Sequence, residues 1–96
     1  MEFELDERNL KHFREDHPER GISRQLLDEV AKNQPRVQDN PPSESRSVTQ
    51  KVVGPDYLGR FWTFPAVRIH GDLWRPVTGW PSTNVEIAIY NEDNNA

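Results

Sequence analysis

Four cationic side chains in the second half of this sequence are of the type that binds phosphate: Lys51, Arg60, Arg68 and Arg75. Arginine suits the crowded phosphorus of phosphodiester cleavage because its planar fork is always charged. An RNA strand carries its own nucleophile, the 2′-hydroxyl, so a protein that aligns the strand and assists proton transfer can cut it without a metal. The residue types therefore indicate metal-independent RNA chemistry.

Aromatic residues are interleaved with these cations. If 59–69 is a strand, its parity places Arg60 and Arg68 on one face, with Trp62 and Phe64 between them. An open groove of cations and rings is typical of proteins on which single-stranded RNA stacks its bases.

Ordinary structural roles compete with this interpretation. The chain has three tryptophans and four phenylalanines, and a small domain needs such residues for its core. Arg75 can be a strand-end arginine paired to a carboxylate such as Glu86, or it can cover apolar surface with its stem. For Arg60 and Lys51 the competing role is ordinary surface charge.

The sequence lacks the residues that nucleophilic catalysis, a phosphate-binding loop or a metal site would need. The sequence has no cysteine, no G-x-S-x-G motif and no glycine-rich loop before a helix. His12 and His17 are five residues apart, which turns the second ligand away from the first on a helix, and Pro18 ends that helix. We expect no metal site and no cofactor.

The distribution of charge limits the partners. The net charge is −4, with −3 in residues 1–33, +2 in 34–80 and −3 in 81–96. Because phosphate neutralisation dominates nucleic-acid affinity, RNA is expected to be held weakly or transiently. No apolar run reaches the roughly 18 residues of a membrane span, and residues 1–20 are charged throughout. We expect no membrane partner and a cytoplasmic location.

Helix signals occupy the first third of the chain. Asp6 is a good N-cap for a helix over residues 7–16, and Ser23 caps a second helix whose apolar stripe runs from Leu26 to Ala31. Near the other end, Thr83 and Glu86 have capping-box spacing. That spacing favours a helix over 84–91, although the alternation in "VEIAIY" also fits a strand.

The middle of the chain is predicted to be β. Residues 34–46 are rich in proline and serine and are expected to form a loop, and residues 92–96 a polar tail. Three segments rich in valine, threonine and aromatics follow the loop and are joined by tight turns, namely 47–53, 59–69 and 73–80. We predict one α+β domain over 1–91, with two N-terminal helices, an antiparallel sheet of three or more strands and a C-terminal helix.

Three segments of the chain resemble the BrnT family of toxins, within the RelE/ParE-like group of bacterial toxin–antitoxin systems: "LDERNLKH", "RGISRQLLDEV" and "WRPVTGWPSTNVEIAIY". The residues that match the family's pattern are Asp6, Asn9, His12, Gly21, Ile22, Ser23, Arg75, Glu86 and Tyr90. The chain departs from it with Arg20 in place of a histidine, with Trp80 in place of a second arginine, and with an insertion at "FREDHPE".

The resemblance implies an α+β ribonuclease toxin that a cognate antitoxin protein neutralises. In that role Arg75 would stabilise phosphate charge, Glu86 or His12 would accept a proton, and Tyr90 would donate to phosphate. Glu86 can instead be a helix-capping residue, His12 a packed helix residue and Tyr90 part of the core. Lys51, Arg60 and Arg68 would position the RNA.

Two other functions remain open at this point. The same fold can be a catalytically silent module whose surfaces serve only a protein partner. The acidic ends can also make the chain a decoy that occupies a basic nucleic-acid-binding protein.

Overall fold

The structure, a computed structural model, describes residues 1–41 and 48–95, with only the backbone of 93–95. Within these ranges the chain forms an α+β fold of three α-helices, one 3₁₀ helix and six strands. In chain order they are β1 (Glu2–Phe3), α1 (Glu7–Glu15), the 3₁₀ helix (Pro18–Arg20), α2 (Arg24–Lys32), β2 (Arg36–Asp39), β3 (Gln50–Pro55), β4 (Phe61–His70), β5 (Leu73–Pro76), β6 (Trp80–Pro81) and α3 (Asn84–Asn95).

The two N-terminal helices start where their caps predict. The Asp6 side chain accepts from the backbone N–H of Asn9 at 2.9 Å, and the Asn9 side chain accepts from the backbone of Asp6 at 2.8 Å. Ser23 accepts from the backbone N–H of Leu26 at 3.2 Å. Both caps satisfy N–H groups that have no partner within the helix, so these starts are set locally.

The closing segment is a helix. Thr83 and Glu86 form the reciprocal capping box, with the Thr83 backbone donating to Glu86 at 2.8 Å and the Glu86 backbone donating to Thr83 at 3.2 Å. The helix continues through residues 92–95, which we had expected to be a polar tail. The capping signal therefore outweighed the alternation in this segment.

The sheet differs from the purely antiparallel one that the sequence predicts. Its strand order is β1-β5-β4-β3-β2, β6 pairs with β4, and β1 runs parallel to β5. The sheet is therefore mixed. β1 can pair in parallel with β5 because most of the chain lies between them and supplies the long connection that parallel strands need.

Two segment predictions need correction. The predicted loop over 34–46 contains β2, which pairs with β3, while 42–46 lie outside the described residues. The predicted strand 73–80 is divided into β5 and β6, with residues 77–79 between them. Pro65 behaves as expected, because the pairing of β4 with β3 ends there and pairing with β5 begins at the next residue.

The sheet has helices on both faces. Cross-strand partners Val52 and Phe64 point to one face, where Phe64 packs edge-on against Phe13 of α1. The neighbouring pair Val53 and Thr63 points to the other face. We call these the α1/α2 face and the α3 face. The α1/α2 face holds most of the buried core, which includes Leu27, Val30, Val52 and Phe64, and α3 covers only part of the opposite face.

Candidate functional site

Arg75 lies on β5 and donates to two carboxylates. Its Nη1 is 2.7 Å from Oε1 of Glu4, and its Nη2 is 2.8 Å from Oδ2 of Asp6. Both acids come from the other end of the chain, since parallel pairing of β1 with β5 brings Glu4 alongside and the N-cap of α1 adds Asp6. The carboxylates paired with Arg75 are therefore not the Glu86 that the sequence offered.

These ion pairs change the electrostatics around Arg75. The backbone N–H of Asn9 and the Arg75 guanidinium hold the pKa of Asp6 below its ordinary value. In turn Asp6 and Glu4 raise the pKa of Arg75. Two negative charges now oppose one positive charge, so the local field does not attract a phosphate. About 30% of the Arg75 side chain still reaches solvent.

Glu86 is buried between α3 and the sheet. Its Oε2 lies 2.9 Å from Nζ of Lys51, and its Oε1 accepts from the indole of Trp80 at 3.2 Å. Burial raises the pKa of Glu86, but the bonds from the Thr83 backbone and Lys51 outweigh burial and leave the pKa below its ordinary value. The carboxylate is ionised, saturated with donors and largely shielded from water, which is a poor setting for a general base.

The side chains of Tyr90 and His12 have bonding partners other than Arg75 and Glu86. The Tyr90 hydroxyl donates to the backbone carbonyl of Gln34 at 3.0 Å, and its ring packs edge-on against Phe61 with centroids 5.1 Å apart. His12 contacts Asp16 one turn along α1 through Nδ1, while its Nε2 is buried without a hydrogen-bond partner. Among the described residues, no bond joins Arg75, Glu86, His12 or Tyr90 to another of the four.

The predicted stacking groove is not formed. Trp62 and Phe64 are buried in the core, at 8% and 0% exposure, so neither ring is available to a base. Arg60 precedes β4 and pairs with Asp56 at 3.3 Å. Arg68 donates its Nε to the carbonyl of Gly71 at 2.7 Å in the turn that follows β4. The interleaving of cations and aromatics reflects the core, because the rings supply its apolar volume.

Asp56 is an organising residue that the sequence reasoning missed. Its side chain is 2% exposed and accepts from the backbone N–H groups of Leu58 and Arg60, both at 2.9 Å, and from the indole of Trp62 at 3.1 Å. Burial raises the pKa of Asp56, but these bonds outweigh it and lower the pKa overall. The motif "PDYLG" is a turn signal from which this role was readable, since aspartate commonly bonds the backbone two residues on.

Exposed apolar residues of β4 and of the segment after β5 lie near Arg75, on the part of the α3 face that α3 leaves uncovered. Val67 pairs with Arg75 across the strands, and the Val77 backbone bonds to the carbonyl of Pro65 on the same ladder. Val67, Ile69 and Val77 expose 48%, 43% and 45% of their surface. We call these three residues the sheet patch.

A cavity of about 640 Å³ lies between β1 and α2, at the β1 edge of the sheet. Its lining combines Phe3, Leu5 and Ala31 with charged residues of α2, and includes none of the four candidate catalytic residues. No group of three or more metal-binding side chains occurs in the part of the chain that the structure describes. Within the same ranges, no helix has the length and apolar character needed to cross a membrane.

The fold and the contacts define an α+β domain with a mixed sheet and an exposed apolar patch beside Arg75, whose charge two carboxylates oppose. The chain matches no protein-family model, and comparison with curated proteins and with solved structures finds no significant match. The resemblance to BrnT toxins rests on the sequence motifs alone and stays a prediction.

Proposed function

We propose that this chain is a catalytically silent protein-binding module whose sheet patch receives a cognate protein. One observation carries the proposal. Val67, Ile69 and Val77 expose large β-branched side chains around an arginine that two carboxylates already neutralise. Such a surface suits an apolar protein contact with a polar rim, and it does not suit a polyphosphate.

The distribution of the candidate catalytic groups supports the same function. Glu86 and Lys51 satisfy each other, and Tyr90 and His12 have local partners elsewhere. Cleavage by the 2′-hydroxyl requires a proton acceptor and a phosphate-stabilising cation around one reacting atom. The contacts of these residues serve the fold.

A second candidate is the metal-independent endoribonuclease of a toxin–antitoxin pair. The observation that favours it is the 30% exposure of the Arg75 side chain, which leaves the guanidinium accessible from solvent. In this function an RNA phosphate would displace Glu4 or Asp6 and bind transiently. Arg75 is then the residue on which activity depends.

One set of proteins separates the two functions: the wild type, Arg75→Ala, and Val67→Ser/Val77→Ser. Each is induced in a bacterium, incubated with single-stranded RNA in EDTA, and co-expressed with the protein encoded by the adjacent gene. We expect no growth arrest and no RNA cleavage. We expect a complex with that protein for the wild type and Arg75→Ala, and loss of the complex for Val67→Ser/Val77→Ser.

Two results would overturn the proposal. Growth arrest with EDTA-resistant cleavage that disappears in Arg75→Ala would establish the ribonuclease. A complex that forms equally well with the Val67→Ser/Val77→Ser variant would remove the sheet patch from binding.

A further inference from the structure

The last helix, α3, buries a charged residue on its inner face and leaves apolar residues exposed on its outer face. Its buried positions include Tyr90 and, one turn earlier, the charged Glu86. Its outer face carries Val85 and Ile89, which are 68% and 38% exposed, with the exposed Ala88 between them. The spacing of 85, 88 and 89 is that of a single helical stripe, and we call these three residues the α3 stripe.

The orientation of α3 is locked, so the stripe cannot turn inward. The inner face is held by the ion pair from Lys51 to Glu86, by the Tyr90 hydroxyl on the carbonyl of Gln34, and by the side chain of Gln38, which donates to the Glu86 carbonyl at 2.9 Å. Rotating the helix to bury the stripe would break all three and leave buried charges unpaired. The apolar residues are therefore a permanent part of the surface.

The charged residues near the α3 stripe indicate which kind of partner can cover it. Residues 81–96 carry three acids and no base. Of the acids, Glu86 is matched internally by Lys51, whereas the exposed Glu92 continues the stripe one turn beyond Ile89. Asp93 follows Glu92 in the same helix. An apolar stripe that ends at the exposed carboxylate of Glu92 complements a surface that is apolar and basic.

We propose that the α3 stripe docks a basic amphipathic helix of a protein partner, whose apolar residues pack on the stripe while its lysines or arginines face Glu92. The inference rests on the proposed function in taking the partner to be a protein. A helix is the fitting shape, because two helices pack at 8–10 Å through residues spaced at i, i+3 and i+4.

A second copy of the chain is a poorer occupant. It would bring the same acids and no base to the contact. The proposal therefore commits to a heterologous basic helix.

The test uses two 14-residue amphipathic peptides, one of leucine and lysine and one of leucine and glutamate. Binding to the full chain is followed by tryptophan fluorescence, because Trp80 bonds to Glu86 at the start of α3. We expect the lysine peptide to bind with a Kd on the order of 10 μM and the glutamate peptide to bind at least about tenfold more weakly, since its carboxylates repel Glu92. Raising salt from about 10 mM to about 150 mM shortens the Debye length from about 30 Å to about 8 Å and should weaken binding.

Variants locate the site. Val85→Ser/Ile89→Ser should lower affinity about tenfold or more, and Glu92→Gln should reduce the salt dependence. Leu58→Ser is the matched control, since Leu58 is 79% exposed on the turn between β3 and β4 and is not part of the α3 stripe, so the change should leave affinity unchanged. Circular dichroism and urea unfolding should show that each variant keeps the wild-type fold.

Several outcomes would overturn the inference. They are equal binding by Val85→Ser/Ile89→Ser, equal affinity for the glutamate peptide, absence of binding at low salt, or a dimer in analytical ultracentrifugation that the stripe variant abolishes. The Val67→Ser/Val77→Ser protein separates the two proposals. If this protein binds the lysine peptide normally, the α3 stripe binds independently of the sheet patch. Loss of its complex with the adjacent gene's product would then report on the sheet patch.

Discussion

Lys51 of β3 and Glu86 of α3 form an ion pair of 2.9 Å from which water is nearly excluded, with 14% and 5% of the two side chains exposed. The two residues are 35 positions apart in the sequence, and the pair lies where the last helix begins. The Trp80 indole and the Thr83 backbone complete the shell around the carboxylate. Two residues expected to act on RNA therefore attach α3 to the sheet.

Removing one member of this pair should destabilise the protein strongly. We expect Glu86→Gln to lower the free energy of unfolding by about 3 kcal/mol, because Lys51 is then left buried without a counter-charge. The double variant Lys51→Met/Glu86→Leu is the matched control and should lose less than the sum of its single changes, since no unpaired charge remains. Urea unfolding measures each value. Losses that simply add would show that the pair is not coupled.

Stability should fall in acid over a defined range. The pKa values of Glu86 and Asp56 are lowered in the folded state from ordinary values of 4.5 and 3.8. The unfolded chain therefore binds protons first, so the contribution is complete above about pH 5 and is lost as the pH falls through the folded values. Urea midpoints measured from pH 7 to pH 3 should be flat and then decline below about pH 4.5. The Glu86→Gln protein should show a shallower decline, and an unchanged slope would contradict the assignment.

Asp56 should be needed for the β3–β4 turn. In Asp56→Asn one acceptor oxygen becomes an NH₂ group, which then faces either the Trp62 indole, if Oδ2 is replaced, or the backbone N–H groups of Leu58 and Arg60, if Oδ1 is replaced. We expect a loss of about 2 kcal/mol, because a buried donor loses its acceptor and the charge assistance disappears. Asp28→Asn, at an exposed position on α2, should change stability by less than about 0.5 kcal/mol. Equal effects in the two variants would contradict the role given to Asp56.

Gly79 should be intolerant of a side chain. A Cβ at this position would lie 2.6 Å from Cε1 of Phe64, whose side chain is fully buried and held by Phe3 and Phe13. Gly79→Ala should therefore destabilise the protein by about 1–3 kcal/mol through overpacking. Phe64→Leu, added to Gly79→Ala, opens space beside the new methyl group, so the two changes should cost less than their sum in thermal or urea unfolding. If the two losses in the free energy of unfolding add, the effect of Gly79→Ala comes from the backbone and not from contact with Phe64.

The resemblance to BrnT toxins marked Arg20 as a departure, and the structure shows what that arginine does in this fold. Its Nη1 donates to the carbonyl of Gly79 at 2.7 Å and ties the 3₁₀ helix to the segment between β5 and β6. The glycine that accommodates Phe64 therefore also accepts a long-range bond. Sequence spacing cannot reveal this contact, because 59 residues separate the two partners.

Features that depend on neighbouring residues were readable from the sequence. The caps at Asp6, Ser23 and Thr83 predict the starts of the three helices because a cap joins groups only three residues apart. The exception is β2, which lies in the segment that the sequence predicts to be a loop. Its one buried residue is the polar Gln38, so the strand lacks the apolar alternation by which strands are found.

Pairing between distant segments was decided by the tertiary structure alone. The class of fold, the helix starts and the apolar stripe of α2 follow from the sequence, because periodicity and capping are short-range properties. Which carboxylates face Arg75, and whether Glu86 meets water or Lys51, depends on strand order and on where α3 lies on the sheet. Charge pairs act across space, and the same acids and bases would form a different site if β1 had joined another edge.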